Sequence, residues 1–80
     1  MDIMGCNIDE HAVITLLHSL AAISPSKARS LQELAAYLRC KIEDISGIID
    51  KLHREGYVDK VDNRFFLATK GLMKVLMYYT

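Results

Sequence analysis

A broad apolar arc of helical periodicity opens the chain, from about Ile8 to Ile23. At 100° per residue, its apolar side chains cover more of the helix than one small core requires. Asn7 or Asp9 can serve as the N-cap of this helix. The width of the arc favours a helix that packs on its own domain and also on a second subunit or another chain.

Two further runs predict a pair of helices. Leu31 to Leu38 follows the sequence Ser30-Leu-Gln-Glu, which has the capping-box pattern of a helix start. Ile42 to Glu55 places its isoleucines on one face and its charged residues on the other, and Gly56 is positioned to end it in a left-handed turn.

The last third of the chain predicts a hairpin and a final helix. Tyr57 to Val61 and Arg64 to Ala68 are rich in β-branched and aromatic residues, and Asp62-Asn63 between them tolerates positive φ. We expect Thr69 to cap a helix from Lys70 to Tyr79. Its core stripe is predicted to contain the following residues: Leu72, Val75, Leu76 and Tyr79.

The predicted order is α-α-α-β-β-α. A lone hairpin is not stable in water, so it must pack on the helices. The second and third helices, joined by three residues, have helix-turn-helix spacing. We therefore expect a mainly α fold with a two-stranded β-hairpin, a winged helix-turn-helix in one domain of residues 1–80.

Composition narrows the function classes. The 80 residues are 51% apolar and 25% charged, which is too apolar for disorder and too interrupted by charge for a membrane span. Ten basic residues balance ten acidic ones, so no overall field attracts nucleic acid or anionic lipid. No nucleophile–base pattern or Gly-rich phosphate loop is present, and we expect no enzyme activity and no cofactor.

The cysteines and histidines predict neither a metal site nor a disulfide framework. Cys6 and Cys40 form no C-x-x-C, and we interpret the compartment as cytoplasmic with both thiols reduced. Cys40 is interpreted as a small core residue. His11 and His18 lie about 10 Å apart along one helix, too far to share a metal ion.

Three segments resemble the MarR- and ArsR-like transcriptional regulators, especially the small archaeal ones. Ser30-Leu-Gln-Glu-Leu-Ala-Ala-Tyr-Leu-Arg-Cys-Lys resembles their second helix and turn. Ile48-Ile-Asp-Lys-Leu-His-Arg-Glu-Gly-Tyr-Val resembles the end of the recognition helix, and Arg64-Phe-Phe-Leu-Ala-Thr-Lys-Gly the second wing strand and the start of the next helix. The match is ungapped from Ser30 to Gly71 and covers about half of the chain.

The resemblance implies sequence-specific binding of double-stranded DNA and transcriptional regulation by a homodimer. The third helix would lie in the major groove, with the hairpin tip on the backbone or minor groove. The candidate DNA-binding residues on helix and hairpin are Ser46, Gly47, Asp50, Lys51, Arg54, Lys60 and Arg64. A basic rim would be formed by Lys27, Arg29, Arg39 and Lys41.

The charge of the third helix and the hairpin, which would contact DNA, departs from the family pattern. Residues 41–55 hold three basic and four acidic residues, and residues 57–68 balance at zero. Lys and Arg side chains that neutralise phosphates supply most of the non-specific affinity for DNA. The lack of a positive surplus in these two segments therefore weakens the expectation of DNA binding. Lys41 also occupies the position where a side-chain N-cap is usual. A winged-helix module that binds protein instead is the alternative.

Exposed apolar residues predict the subunit interface. Met73, Met77 and Tyr78 fall outside the core stripe of the last helix, and with Val13 and Leu17 of the first helix they are expected to form it. Alternatively, Ile3 and Met4 fold back over them.

Two residues keep alternative roles. Arg64 either contacts phosphate or pairs with nearby acidic residues. Gly47 either permits close approach of a partner or has no special role.

Overall fold

Four α-helices and three short antiparallel strands make up the part of the chain that the structure describes. This computed structural model describes residue 6 and residues 8–78. The helices are α1 (Glu10–Ser19), α2 (Leu31–Leu38), α3 (Ile42–Arg54) and α4 (Thr69–Met77). The strands are β1 (Arg29–Ser30), β2 (Val58–Val61) and β3 (Arg64–Leu67), and a 3₁₀ helix (Pro25–Lys27) precedes β1. The expectation of a helix-rich fold that contains a hairpin is confirmed.

The sheet has a third strand, which corrects the prediction of a two-stranded hairpin. The strand order is β1-β3-β2, with Ser30 opposite Arg64 in the β1–β3 pair. β1 has only two residues, so it carries no period-2 pattern that the sequence could reveal. It forms because the extended residue Ser30, which caps α2, lies alongside β3.

Helix α1 ends at Ser19, four residues before the predicted end. Ala21 has φ of 58°, and the Ala22 N–H donates to the Leu17 carbonyl oxygen at 2.9 Å, which closes the helix. A non-glycine residue in this conformation costs about 1 kcal/mol. Burial of Ala22 and a 2.7 Å hydrogen bond from Leu67 N–H to its carbonyl oxygen offset that cost. At the other end, Asp9 is the N-cap and accepts from the Ala12 N–H; Asn7 lies outside the described residues.

Local capping signals are largely confirmed. The Ser30 hydroxyl accepts from the Glu33 N–H at 3.1 Å, and the Glu33 carboxylate accepts from the Ser30 N–H at 2.9 Å. At the start of α3, the Asp44 carboxylate reaches back to the Lys41 N–H at 3.3 Å. This contact satisfies the N–H of the N-cap residue, whereas the Lys41 side chain accepts from no amide of the first turn.

The hairpin turn has the geometry that Asp62-Asn63 permits. φ is 48° at Asp62 and 62° at Asn63, so both central residues are left-handed, as a type I′ turn requires. The strands pair from Val58 opposite Leu67 to Val61 opposite Arg64. The hairpin therefore ends in a tight turn whose two central residues are exposed.

One core cluster collects buried side chains from all four helices and the hairpin. Val13 and Leu17 are fully buried in it, and so cannot form a surface between subunits. This corrects their assignment to a dimer interface: the α1 residues that face the other helices are needed by the monomer itself. Ile3 and Met4, the alternative cover for the last helix, lie outside the described residues.

Helix α4 is rotated relative to the prediction. It begins at Thr69 with Ala68 as N-cap and no side-chain cap, so Thr69 does not cap it. Gly71 and Val75 face the core, while Leu76 is 50% exposed, which corrects its place in the core stripe. The cause is the close approach of Gly71 to the Tyr57 carbonyl group, which leaves no room for a side chain at position 71. Tyr79 lies outside the described residues.

Cys6 and Cys40 are joined in a disulfide, so the prediction of two reduced thiols is wrong. Their Cα atoms are 5.4 Å apart, within the usual range for this bond. Cys40 packs, half-buried, against the core, in agreement with its interpretation as a small core residue. None of the helices in the described part of the chain combines the length and the hydrophobicity that a membrane-spanning helix needs.

Candidate nucleic-acid interface

Helix α3 is anchored on one side and exposed on the other. Ile45, Ile49 and Leu52 are fully buried. The exposed side carries Glu43, Gly47, Asp50, Lys51 and Arg54. Ile42 is the exception to the predicted pattern, because it is 40% exposed where the sequence places it among the anchoring isoleucines. As the first residue of the helix, it lies at the edge of the core, beside the hairpin.

A shallow groove separates α3 from the hairpin and the start of α2. Its volume is about 390 Å³. Ile42, Ser46 and Asp50 line it from α3, and Lys60 and Asn63 from the hairpin. Leu31, Gln32 and Phe65 complete the lining. The groove thus has apolar side chains and a balanced pair of charges, Asp50 and Lys60, rather than a surplus of cations.

Two lining residues have internal contacts. The Lys60 ammonium lies 5.8 Å from the centroid of the Phe65 ring, at the distance of a cation–π contact. The Ser46 hydroxyl donates to the Glu43 carbonyl oxygen at 3.5 Å, a long bond that a stronger acceptor could replace. Both side chains therefore remain available to an outside ligand.

Arg29 and Arg64 share one carboxylate. Arg29 Nη1 lies 3.7 Å from one Glu33 oxygen, and Arg64 Nη2 lies 3.6 Å from the other. Pairing of β1 with β3 brings the two arginines together at the start of α2. The sequence leaves Arg64 either a phosphate contact or a partner of nearby acidic residues. The structure shows an acidic partner, Glu33, which lies on α2. One positive charge in this group remains uncompensated.

The pKa of Glu33 is lowered from its ordinary value. The main cause is the hydrogen bond from the Ser30 N–H; desolvation is the next largest effect and opposes it, and the guanidinium groups of Arg29 and Arg64 lower the pKa further. Because a lowered pKa favours the folded state only while the carboxyl is ionised, this contribution is present above the ordinary carboxyl range. It is lost as pH falls through the lowered pKa.

We predict that Glu33→Gln destabilises the protein at neutral pH and has less effect in acid. Glutamine keeps a hydrogen-bond acceptor for Ser30 but loses the charge that faces both arginines. Urea unfolding of wild type and variant at pH 7 and about pH 3 measures the difference. An effect of the same size at both pH values would contradict an origin in the ionised carboxylate.

Lys51 is directed away from the groove. Its ammonium lies 2.7 Å from a Glu10 carboxylate oxygen on α1, and the hydrogen bond with Glu10 raises the pKa of Lys51. The sequence places Lys51 among the candidate DNA-binding residues. Its ion pair with Glu10 joins α3 to α1, which lie far apart in the sequence, so no sequence pattern could reveal it. Arg54, also on α3, has no ion pair within the described residues.

Three of the four basic rim residues are exposed, at separate points, whereas Arg29 is half-buried. Lys27 lies in the 3₁₀ helix, and Arg39 and Lys41 lie in the turn before α3. Arg39 has φ of 56° and ends α2 in a left-handed turn, which exposes its side chain. Lys41 stands at the N-terminus of α3, next to the exposed Ile42.

A second surface lies on α4. Met73 is 60% exposed, Met77 72% and Tyr78 39%, which confirms that they lie outside the core stripe. With Tyr57 and two lysines they line a depression of about 750 Å³. The lysine ammonium groups, from Lys70 and Lys74, lie 4.4 and 5.0 Å from the centroid of the Tyr57 ring. Tyr57 also belongs to this surface, but because it lies outside the helices, helical periodicity could not indicate it.

The described residues contain no group of three or more His, Cys, Asp or Glu side chains placed to hold a metal ion. His11 instead contacts Tyr78, with ring centroids 4.0 Å apart. No protein-family model, no curated protein and no solved structure matches the chain, and a functional assignment therefore rests on the geometry of α3, the hairpin and α4.

Proposed function

We propose that this protein is a winged helix-turn-helix that binds double-stranded DNA through α3. The observation that carries the proposal is the exposed side of α3, which lies between the turn after α2 and the β2–β3 hairpin. An α-helix fits the major groove, and a neighbouring hairpin can then reach the backbone. In this proposal the protein regulates transcription at its binding sites.

Contacts are assigned by position and charge. Arg54 and Ser46 on α3 face the DNA, and Lys60 and Arg64 contact the backbone from the hairpin. Asp50 accepts a hydrogen bond from cytosine N4 if it faces a base edge. Lys27, Arg29, Arg39 and Lys41 supply attraction to phosphates around the helix-turn-helix. A Cβ at Gly47 would meet no protein atom within 4 Å, so this face of α3 is open to a ligand.

Arg54 and Lys51 offer a matched test, since each supplies one positive charge on α3. We predict that Arg54→Gln weakens binding to random duplex DNA and reduces the slope of log K against log salt by about one. Lys51→Gln should leave that slope nearly unchanged, because the Lys51 ammonium is already paired with Glu10. Fluorescence anisotropy titrations over a range of salt concentrations measure both. Equal effects of the two substitutions would contradict the assigned orientation of α3.

The alternative, a module that binds another protein, is favoured by one observation: the groove beside α3 combines the 40% exposed Ile42 with a balanced Asp50 and Lys60. Protein interfaces have such apolar centres with few unbalanced charges. Failure of the wild type to bind any duplex at low salt would reject DNA binding. A groove substitution such as Ile42→Asp that abolishes capture of a purified protein partner would then support the alternative.

We further propose that the exposed side chains of α4 form a two-fold homodimer interface. A two-fold dimer would place its two α3 helices on half-sites about 34–36 Å apart or a multiple of that distance. The apolar exposure of Met73 and Leu76 supports this proposal, because contiguous apolar surface usually marks an interface.

We predict that Met73→Glu shifts the protein from dimer to monomer, because a carboxylate would be buried in an apolar contact. Size-exclusion chromatography with light scattering at several protein concentrations measures the subunit count. Ser26→Glu, which adds the same charge at an exposed position in the 3₁₀ helix, is the control and should remain dimeric. A wild type that stays monomeric at the highest concentration would refute the dimer.

A further inference from the structure

The Cys6–Cys40 disulfide joins two segments that are 34 positions apart in the chain. Cys6 precedes α1, whereas Cys40 lies in the three-residue turn between α2 and α3. Without the disulfide, the only covalent connection between Cys6 and Cys40 is the 34-position length of backbone. The bond therefore couples the N-terminal segment to the start of the helix proposed to bind DNA.

Two non-covalent contacts continue this connection along α3. We define the N-terminal strap as the described residues 6 and 8–10. Ile8 packs against the core and shares a depression with Ile48 of α3, and Glu10 pairs with Lys51 one turn further along. The strap thus follows the side of α3 that faces α1.

The strap leaves the groove beside the hairpin open. That groove is lined from α3 by Ile42, Ser46 and Asp50, none of which contributes to the strap contacts. A change in the strap therefore alters how firmly α3 is held without covering the groove itself.

The turn that holds Cys40 determines where α3 begins. The Cys40 N–H donates to the Ala35 carbonyl oxygen at 2.9 Å, and α3 starts two residues later at Ile42. Arg39 and Lys41 flank Cys40 in the chain, and both are exposed.

We propose that Cys6 and Cys40 form a reversible redox site that controls the rigidity of the α2–α3 turn. In the oxidising direction, the Cys40 thiolate attacks glutathione disulfide and releases one glutathione thiolate, which leaves a mixed disulfide on Cys40. The Cys6 thiolate then attacks the Cys40 sulfur and releases the second glutathione. Two electrons pass from the two protein thiols to one glutathione disulfide, and the two protons of the protein thiols end on the two glutathione molecules.

The effect on DNA rests on the proposed function. The oxidised strap holds α3 in position before it meets a ligand, so less conformational entropy is lost on binding. We expect the oxidised protein to bind duplex DNA about three- to tenfold more tightly than the reduced protein. The strap itself is tested without DNA.

The test equilibrates the full chain in glutathione buffers that range from reducing to oxidising. Alkylation of free thiols followed by intact mass measurement gives the oxidised fraction, and hydrogen exchange gives the protection of the amides at residues 40–45. Cys6→Ala keeps Cys40 but cannot close the bond, and is the matched control. Wild type should pass from two free thiols to one internal disulfide, with amide exchange in the turn slowed about tenfold, while Cys6→Ala shows no change in exchange.

Three results would overturn the proposal. They are a disulfide that stays closed in the most reducing buffer, a mixed glutathione adduct in place of the internal bond, and equal amide exchange in the oxidised and reduced wild type. Duplex binding is then measured on both forms. Loss of DNA binding in every form rejects the proposed function and not the strap, whereas equal DNA affinity of the two forms rejects the link between them.

Discussion

Replacing Gly71 with alanine should lower the free energy of unfolding by about 3 kcal/mol, which is large for the addition of one methyl group. A Cβ at this position would overlap the Tyr57 carbonyl oxygen and lie 3.0 Å from the Leu67 side chain. The carbonyl group belongs to the backbone and also accepts the Ala68 N–H at 3.0 Å, so it cannot move aside without breaking that hydrogen bond.

Gly47 provides the control, because it is also a glycine within a helix but a Cβ there would meet no atom within 4 Å. Gly47→Ala should raise the free energy of unfolding by about 1 kcal/mol through helix propensity alone. Urea unfolding followed by circular dichroism measures both variants. If Gly71→Ala were as stable as wild type, the close packing of α4 on the end of β3 would be contradicted.

The two glycines show what a sequence can convey about packing. Both stand within predicted helices, and Gly71 also belongs to the segment that resembles a known family. Neither fact distinguishes the tight position from the open one. That distinction depends on Tyr57, which lies 14 positions earlier and reaches Gly71 because the pairing of β2 with β3 places it beside Ala68, at the start of α4.

Features governed by neighbouring residues were predictable. The capping box of Ser30 and Glu33, the amphipathic α3 and the Asp62-Asn63 turn each depend on contacts within a few positions. Local hydrogen bonds and helical periodicity leave a direct pattern in the sequence. These elements were correct to within a residue or two.

Features that depend on distant contacts were not. Strand β1 exists because of β3, and α1 ends early because Ala22 is drawn into the core and bonded to Leu67. Val13 and Leu17 looked like surplus apolar surface only because the burial of α1 by α3, α4 and β3 could not be seen in the sequence.

For the candidate interface, the sequence predicts which elements form it but not which of its charged side chains are paired. The sequence predicts α3 and the hairpin as the candidate interface, and it also shows that their net charge is close to zero. It did not show that Glu10 neutralises Lys51, or that Glu33 holds both Arg29 and Arg64. These ion pairs reduce the cations that are free for phosphate and single out Arg54 as the α3 side chain to test first.

Removing the disulfide should lower the free energy of unfolding by about 3 to 4 kcal/mol, because the bond closes a long loop in the unfolded chain. The loop is set by the 34-position separation of Cys6 and Cys40. Cys6→Ala, Cys40→Ala and the double variant should show nearly the same loss, since each removes the same cross-link. Cys40→Ala should lose slightly more, because its side chain also packs against the core.

Because both single variants and the double variant remove the same bond, their losses of unfolding free energy should not add, and this distinguishes loss of the disulfide from loss of two separate side chains. Urea unfolding of wild type and the three variants, with and without a thiol reductant, measures it. In reductant the wild type should fall to the level of Cys6→Ala, and the variants should not change. Losses that add in the double variant, or a wild type unaffected by reductant, would show that the two side chains act independently and that the strap to α3 is held by Ile8 and Glu10 alone.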